Sequence, residues 1–265
     1  MPRDFYWHAN QLVEDGVMPG VLAIGDSWFW YPFPGGALLH HLAPYLRRKD
    51  RIVFAVGHNG AEAIDYVDGV YREEVAHALR LYGDGLTEVL ISGGGNDFAG
   101  FNDLRPLLRG DNRDATTAAD CFLPGTEWPS LGWLLGIVQD GLSRLIAQIR
   151  ERAPRAHVYL HNYDYAIPSG KGVLGGEGWL LPALERTFVP ERLRQDCIRY
   201  AIDGLSDVQQ ALTRTFGGTV TQIDSRGTLS AGDWANELHP TGKGFEKIVR
   251  ERWLPVLVAR NAAAA

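Results

Sequence analysis

Five short apolar runs, separated by stretches of helical spacing, constrain what this chain can fold into more than any other feature. They are VLAIG (21–25), RIVFAVG (51–57), TEVLISG (87–93), HVYLHNY (157–163) and TVTQID (219–224). Their largely continuous apolar character suits strands covered on both faces, as in parallel sheets. After the first run, 37–50 places Leu38, Leu39, Leu42 and Leu46 on one helical face. Further helical stretches span 61–85, 131–154, 190–218 and 241–260, with the cleanest period in 131–154. Strand alternating with helix predicts an α/β fold, a three-layer α/β/α sandwich around a central five-stranded parallel sheet. Such sheets place their sites at the carboxyl ends of the strands.

Two segments break the rhythm, at 98–130 and 164–187, and both leave the predicted carboxyl edge. Loops of that length are uncommon unless they serve a site or are disordered. The second holds the glycine-rich stretch 169–178 followed by Trp179, which reads either as a lid or as a surface loop. The expected organisation is one domain over 1–260 with a short tail at 261–265.

At 265 residues the chain is long enough to bury a large core. A net charge of -6 and the absence of a basic stripe argue against nucleic acid as a partner. No apolar run approaches the roughly 18 residues that a membrane span needs. The opening MPRDFYWHANQLVEDG shows no apolar stretch with a small-residue cleavage site, so a cytoplasmic location is the expectation. Two cysteines, Cys121 and Cys197, make neither a disulfide framework nor a zinc site and read as free thiols. No His, Cys and carboxylate spacing suggests a metal, and no cofactor is expected.

The strand ends carry the chemistry. The first run ends in Gly25-Asp26-Ser27, the second in Gly57-His58-Asn59-Gly60, and the third in Gly93-Gly94-Gly95-Asn96-Asp97. The fifth is followed by DWANELHPTGKG, which holds His239. A hydroxyl, an imidazole, a glycine turn and an asparagine are thus expected at one edge. Acyl transfer needs that set: a nucleophile, a base within reach, and donors aimed at the developing oxyanion. Each element also has a plainer use. Gly-Asp-Ser and His-Pro can cap helices, and a glycine turn can bind phosphate through its amides. The third turn, however, has neither a P-loop lysine nor dinucleotide spacing. Asp26 and Asp97 read as structural carboxylates that bond loop amides. His58 and His161 also stand at strand ends, where either could touch substrate or be a satisfied polar group, and His40-His41 reads as part of a helix.

The four blocks together resemble the SGNH, or GDSL-type, hydrolase superfamily, over nearly the whole chain from Val21 to about Gly244. AIGDSWF resembles the first block, AVGHNGAEA the second, SGGGNDF the third and NELHPTGKG the last. The resemblance implies a flavodoxin-like fold and a serine esterase or lipase-like activity on a small-molecule ester. It makes Ser27 the nucleophile and His239 the base, with an oxyanion hole from the amides of Ser27 and Gly60 and the side chain of Asn96. Trp28 stands where the family motif has leucine. Asn236 stands where the family has the aspartate three residues before the histidine. No Gly-x-Ser-x-Gly elbow surrounds Ser27, which disfavours an ordinary α/β-hydrolase.

Asn236 leaves three arrangements open. Ser27 and His239 act as a dyad aided by Asn236 or a main-chain carbonyl; a nearby carboxylate, Asp233 or Glu237, substitutes; or activity is weak. Trp28, His58 and Trp179 are candidates for the substrate pocket. The aromatic run Trp28, Phe29, Trp30, Tyr31 and Phe33 is expected to divide between core and cleft. The same apparatus would also serve an acyltransferase, a thioesterase or a carbohydrate O-acetyl esterase, and a binding module on a degenerate hydrolase fold is the non-enzymatic reading.

Overall fold

The computed structural model of the chain describes residues 3–31, 36–47 and 51–264, with the backbone alone at 261–264. Six strands form one sheet: β1 (Phe5–Tyr6), β2 (Val21–Gly25), β3 (Val53–Gly57), β4 (Glu88–Ser92), β5 (His157–Asn162) and β6 (Val220–Asp224). Their order is β1-β3-β2-β4-β5-β6, and every pairing is parallel. The five expected strands are all present. The sixth, β1, is an edge strand of two residues, too short to leave a periodic signal in sequence.

The nine helices found among the described residues are α1 (Ala9–Asp15), α2 (Leu38–Arg47), α3 (Arg72–Tyr82), α4 (Phe101–Leu104), α5 (Leu131–Arg152), α6 (Leu181–Arg186), α7 (Glu191–Phe216), α8 (Gly242–Ile248) and α9 (Leu254–Ala264). A π-helical turn, Val249–Trp253, joins the last two. Helix α2 packs with α8 and the π turn, while α3 packs on α5 and α5 on α7, which also lies on β5 and β6. Two helical layers therefore enclose the sheet, and all five residues of β2 are buried. That double covering is why its sequence is uniformly apolar.

The stretch 61–85 does not form one helix. It divides into a 3-10 turn, Ala63–Tyr66, and α3. The reciprocal caps of Glu62 and Asp65 close the turn, and Gly69 packs against the Asp65 side chain where a Cβ would collide. Residues 48–50, the end of the expected helix 37–50, lie outside the described residues.

The chain leaves β2 to pair β3 on one side and later returns to pair β4 on the other. This reversal opens a crevice at the carboxyl end of β2. Both long connections are tied to the body. The first closes on itself, Arg109 N donating to Cys121 O at 2.8 Å and Leu123 N to Leu107 O at 2.8 Å, and Arg192 of α7 donates to its Ala115 O at 2.9 Å. Cys121 and Cys197 are buried and unbridged. In the second, the buried Asp164 carboxylate accepts from the amides of Gly227 at 2.7 Å and Leu229 at 2.6 Å.

Candidate active site

Ser27 sits where β2 breaks into a tight turn. Asp26 N donates to Ser92 O across the sheet, and the amides of Phe29 and Trp30 both return to Asp26 O. The Asp26 carboxylate caps the turn through Trp28 N at 2.9 Å. The same carboxylate accepts from Ser92 Oγ at 3.3 Å, from Asn96 Nδ2 at 3.4 Å and from the Tyr163 hydroxyl. One buried acid thus ties the ends of β2, β4 and β5 together. Burial raises its pKa to about 6 against the lowering effect of these bonds. Asp97 accepts from Ala63 N at 3.1 Å, and burial raises its pKa to about 7. Both aspartates occupy the loop-bonding places expected of them.

His239 arrives from the turn after β6. Ala235 N and Asn236 N both donate to His239 O, and Thr241 N returns to Asp233 O, so the turn closes on itself. His239 Nε2 lies 2.8 Å from Ser27 Oγ. Its Nδ1 lies 3.0 Å from Asn236 Oδ1. That amide oxygen also accepts from Leu238 N at 3.0 Å and His239 N at 2.9 Å. Two backbone donors on the oxygen side fix the amide orientation, because a flipped group would set NH2 against N–H. An oxygen facing Nδ1 requires that nitrogen to carry the proton, which leaves the Nε2 lone pair toward Ser27. Burial lowers the His239 pKa to about 4, so the ring is a neutral base at neutral pH.

The two carboxylates considered as substitutes for the missing aspartate are engaged elsewhere. Asp233 Oδ2 accepts from Ser230 N at 2.9 Å and Ser230 Oγ at 2.8 Å and pairs with Lys247. Glu237, fully buried, accepts from the amides of Gly170 at 2.8 Å, Trp179 at 2.5 Å, Leu180 at 2.7 Å and Leu181 at 3.1 Å. It clamps the glycine-rich segment to the turn that carries His239. The group facing the imidazole is the amide of Asn236.

The backbone amides of Ser27 and Gly60 make no hydrogen bond among the described residues. Gly60 holds a left-handed φ of 78°, a conformation that favours glycine. Asn96 Nδ2 donates to Ala61 O at 3.0 Å, with the Asp26 carboxylate as its longer second contact.

A narrow cleft opens beside Ser27 and Asn96. Its walls are apolar, including Phe98, Ala166, Leu180, Ile198, Ile202 and Leu238. Trp28 lines it and is otherwise buried; its indole N–H donates to Leu238 O at 2.9 Å, which ties the first turn to the residue before His239. Trp179 meets the His239 ring edge-on at 6.1 Å. His58 does not line this cleft. It lies 2.6 Å from Glu74 and stacks on Tyr71 at 3.7 Å, in a separate hollow with Trp7 and Trp30. The aromatic run divides as expected: Phe29 is core, Trp28 borders the cleft, and Tyr31 stacks on His239 at 4.1 Å. Phe33 lies outside the described residues. His161 is buried between Ser92 and Ser225, and burial lowers its pKa to about 3.

Sequence reasoning missed the contacts of Tyr31, Tyr163 and Glu237. Only Tyr31 left a trace, as a ring four residues beyond the serine. Among the described residues no cluster of His, Cys, Asp or Glu could hold a metal, and no helix is long and apolar enough to cross a membrane.

No curated protein matches the chain. Solved structures similar in fold include an extracellular lipase from Streptomyces rimosus, 18% identical with a TM-score of 0.54 over 91% of this chain and 99% of that one. A phospholipase A1 from Streptomyces albidoflavus is 19% identical with a TM-score of 0.54 over 92% and 99%. A family 3 carbohydrate esterase from Clostridium thermocellum is 15% identical with a TM-score of 0.51 over 90% and 96%. At these identities the likeness concerns the fold. The GDSL-like lipase/acylhydrolase family profile matches residues 23–247, a span that contains every site residue described above, and the chain belongs to that family.

Proposed function

We propose that the protein hydrolyses carboxylic esters through an acyl-enzyme on Ser27. The observation that carries this reading is the relay Ser27 Oγ, His239 Nε2, His239 Nδ1, Asn236 Oδ1, with spacings of 2.8 and 3.0 Å, at the mouth of an apolar cleft. As Oγ attacks the ester carbonyl, Nε2 takes its proton. The carbonyl oxygen gains charge and is held by the free amides of Ser27 and Gly60, and Asn96 Nδ2 joins them by exchanging its longer contact with Asp26, at 3.4 Å, for the oxyanion. Loss of one such donor typically costs about 100- to 1000-fold in rate. On collapse, the imidazolium returns the proton to the leaving alkoxide. A water activated by the same nitrogen then frees the acid. The apolar walls suit an acyl chain, and Leu180 and Leu238 place the clamped segment and the histidine turn against it.

A fluorophosphonate probe tests this directly. Covalent modification at Ser27, and loss of p-nitrophenyl ester hydrolysis in Ser27→Ala, are the expected results. Full activity in Ser27→Ala, or no adduct in the folded protein, overturns the reading. Alcohol acceptors added to the same ester panel separate hydrolysis from acyl transfer.

A further inference from the structure

In a serine–histidine–aspartate site the carboxylate orients the imidazole and also stabilises the imidazolium formed when the serine is deprotonated. Asn236 can perform only the first task. Its oxygen holds Nδ1 at 3.0 Å, but it carries no charge. Burial makes the second task pressing, because a cation on His239 is costly there.

Tyr31 touches both members of the pair. Its ring lies over the His239 ring with centroids 4.1 Å apart and planes 15° from parallel. Its hydroxyl accepts from Asn236 Nδ2 at 2.9 Å. The chain from Nδ1–H through the amide to the phenol oxygen is continuous, and each hydrogen bond polarises the next. The π face of an aromatic ring is electron-rich and attracts a cation within about 6 Å. The imidazole is neutral before the reaction and positive in the transition state, so the stack strengthens as the proton arrives.

We propose that Tyr31 is a positioning residue that supplies the imidazolium stabilisation that Asn236 lacks, through the face of its ring. It acts through His239, and the inference rests on the hydrolase reading above.

The test replaces Tyr31 by phenylalanine and then by phenylalanines bearing one, two and three ring fluorines, which withdraw electrons from the face with little change of shape. Tyr31→Phe is expected to keep at least about a third of kcat, because the face remains. Successive fluorination should then lower kcat stepwise, by about tenfold in total, with KM nearly constant. In an Asn236→Asp background the carboxylate supplies the charge, and the same series should flatten. A flat series in the Asn236 protein, or an equal decline in both backgrounds, overturns the role of Tyr31. Fluorophosphonate labelling run alongside separates the two claims. Ser27 labelled with a flat series defeats only the role of Tyr31, whereas no labelling of the parent protein defeats the hydrolase reading and this inference with it.

Discussion

The amide of Asn236 accepts three N–H groups through one oxygen and donates its nitrogen to Tyr31. An aspartate would keep every one of these contacts, because the Tyr31 hydroxyl can rotate to donate. Asn236→Asp is therefore expected to preserve or raise kcat/KM. It should also raise the His239 pKa, since a carboxylate beside the ring favours its charged form. Ester hydrolysis against pH checks both points: a large loss of activity would mean that the neutral amide is itself required. In the parent protein a histidine held at about 4 stays unprotonated and competent well below the ordinary value of 6.5. The acid limb of kcat/KM is accordingly expected near pH 4, and a limb near 6.5 would show a solvated ring.

At the scale of elements, the segment around 170–181 and the turn bearing His239 are held together by one carboxylate. Glu237 accepts four backbone amides from that segment, while Glu237 N donates to Lys171 O at 3.0 Å. Replacing it by glutamine sets an NH2 group against N–H donors. Unmaking such bonds costs about 2 kcal/mol or more, which in a chain of this size lowers Tm by about 4–8 °C. Leu180 lines the cleft and Trp179 borders His239, so KM for longer acyl esters should rise as well. Thermal melts and acyl-length profiles of Glu237→Gln measure the two effects, and an unchanged melt would mean that the clamp carries no stability.

Across the whole molecule, buried titratable groups set the pH range of stability. Burial lowers the pKa of His157 to about 4, His161 to about 3 and His239 to about 4, all from 6.5. The unfolded chain protonates these rings near 6.5 and the folded one does not, so they withdraw stability as pH falls from 6.5 toward 4. Asp26 and Asp97, raised to about 6 and about 7, act in the opposite sense, because the folded chain holds their protons longer. Burial also lowers the pKa of His40 and raises those of Glu62, Glu88, Asp103 and Asp164, which act with the two aspartates. Because the unfolded imidazoles take up their protons through most of the interval from 6.5 to about 4.5, Tm is expected to be lower at about pH 4.5 than at about pH 7.5. A higher Tm in acid would show that the carboxyls dominate. Several features of the protein were legible in sequence. They include the five long strands, Ser27 after the first of them, the Gly60 and Asn96 turns, and His239 opposite Asn236. Each is written locally, as an apolar run, a strand-end glycine or a short block. The division of 61–85, the two-residue β1, the diversion of Asp233 and Glu237 from the imidazole, and the partnership of Tyr31 with His239 were not legible in this way. Glu237 meets its amides across 56 to 67 residues of chain and Tyr31 meets Asn236 across 205, while the Glu62–Asp65 and Ser230–Asp233 caps are local polar contacts that leave no apolar period. Hydrogen bonding and ring stacking act over a few ångströms of space and take no account of distance along the sequence. By itself the sequence determined the layers and the strand ends that carry Ser27, Gly60, Asn96 and His239, and only the tertiary structure decided which neighbours surround the His239 ring.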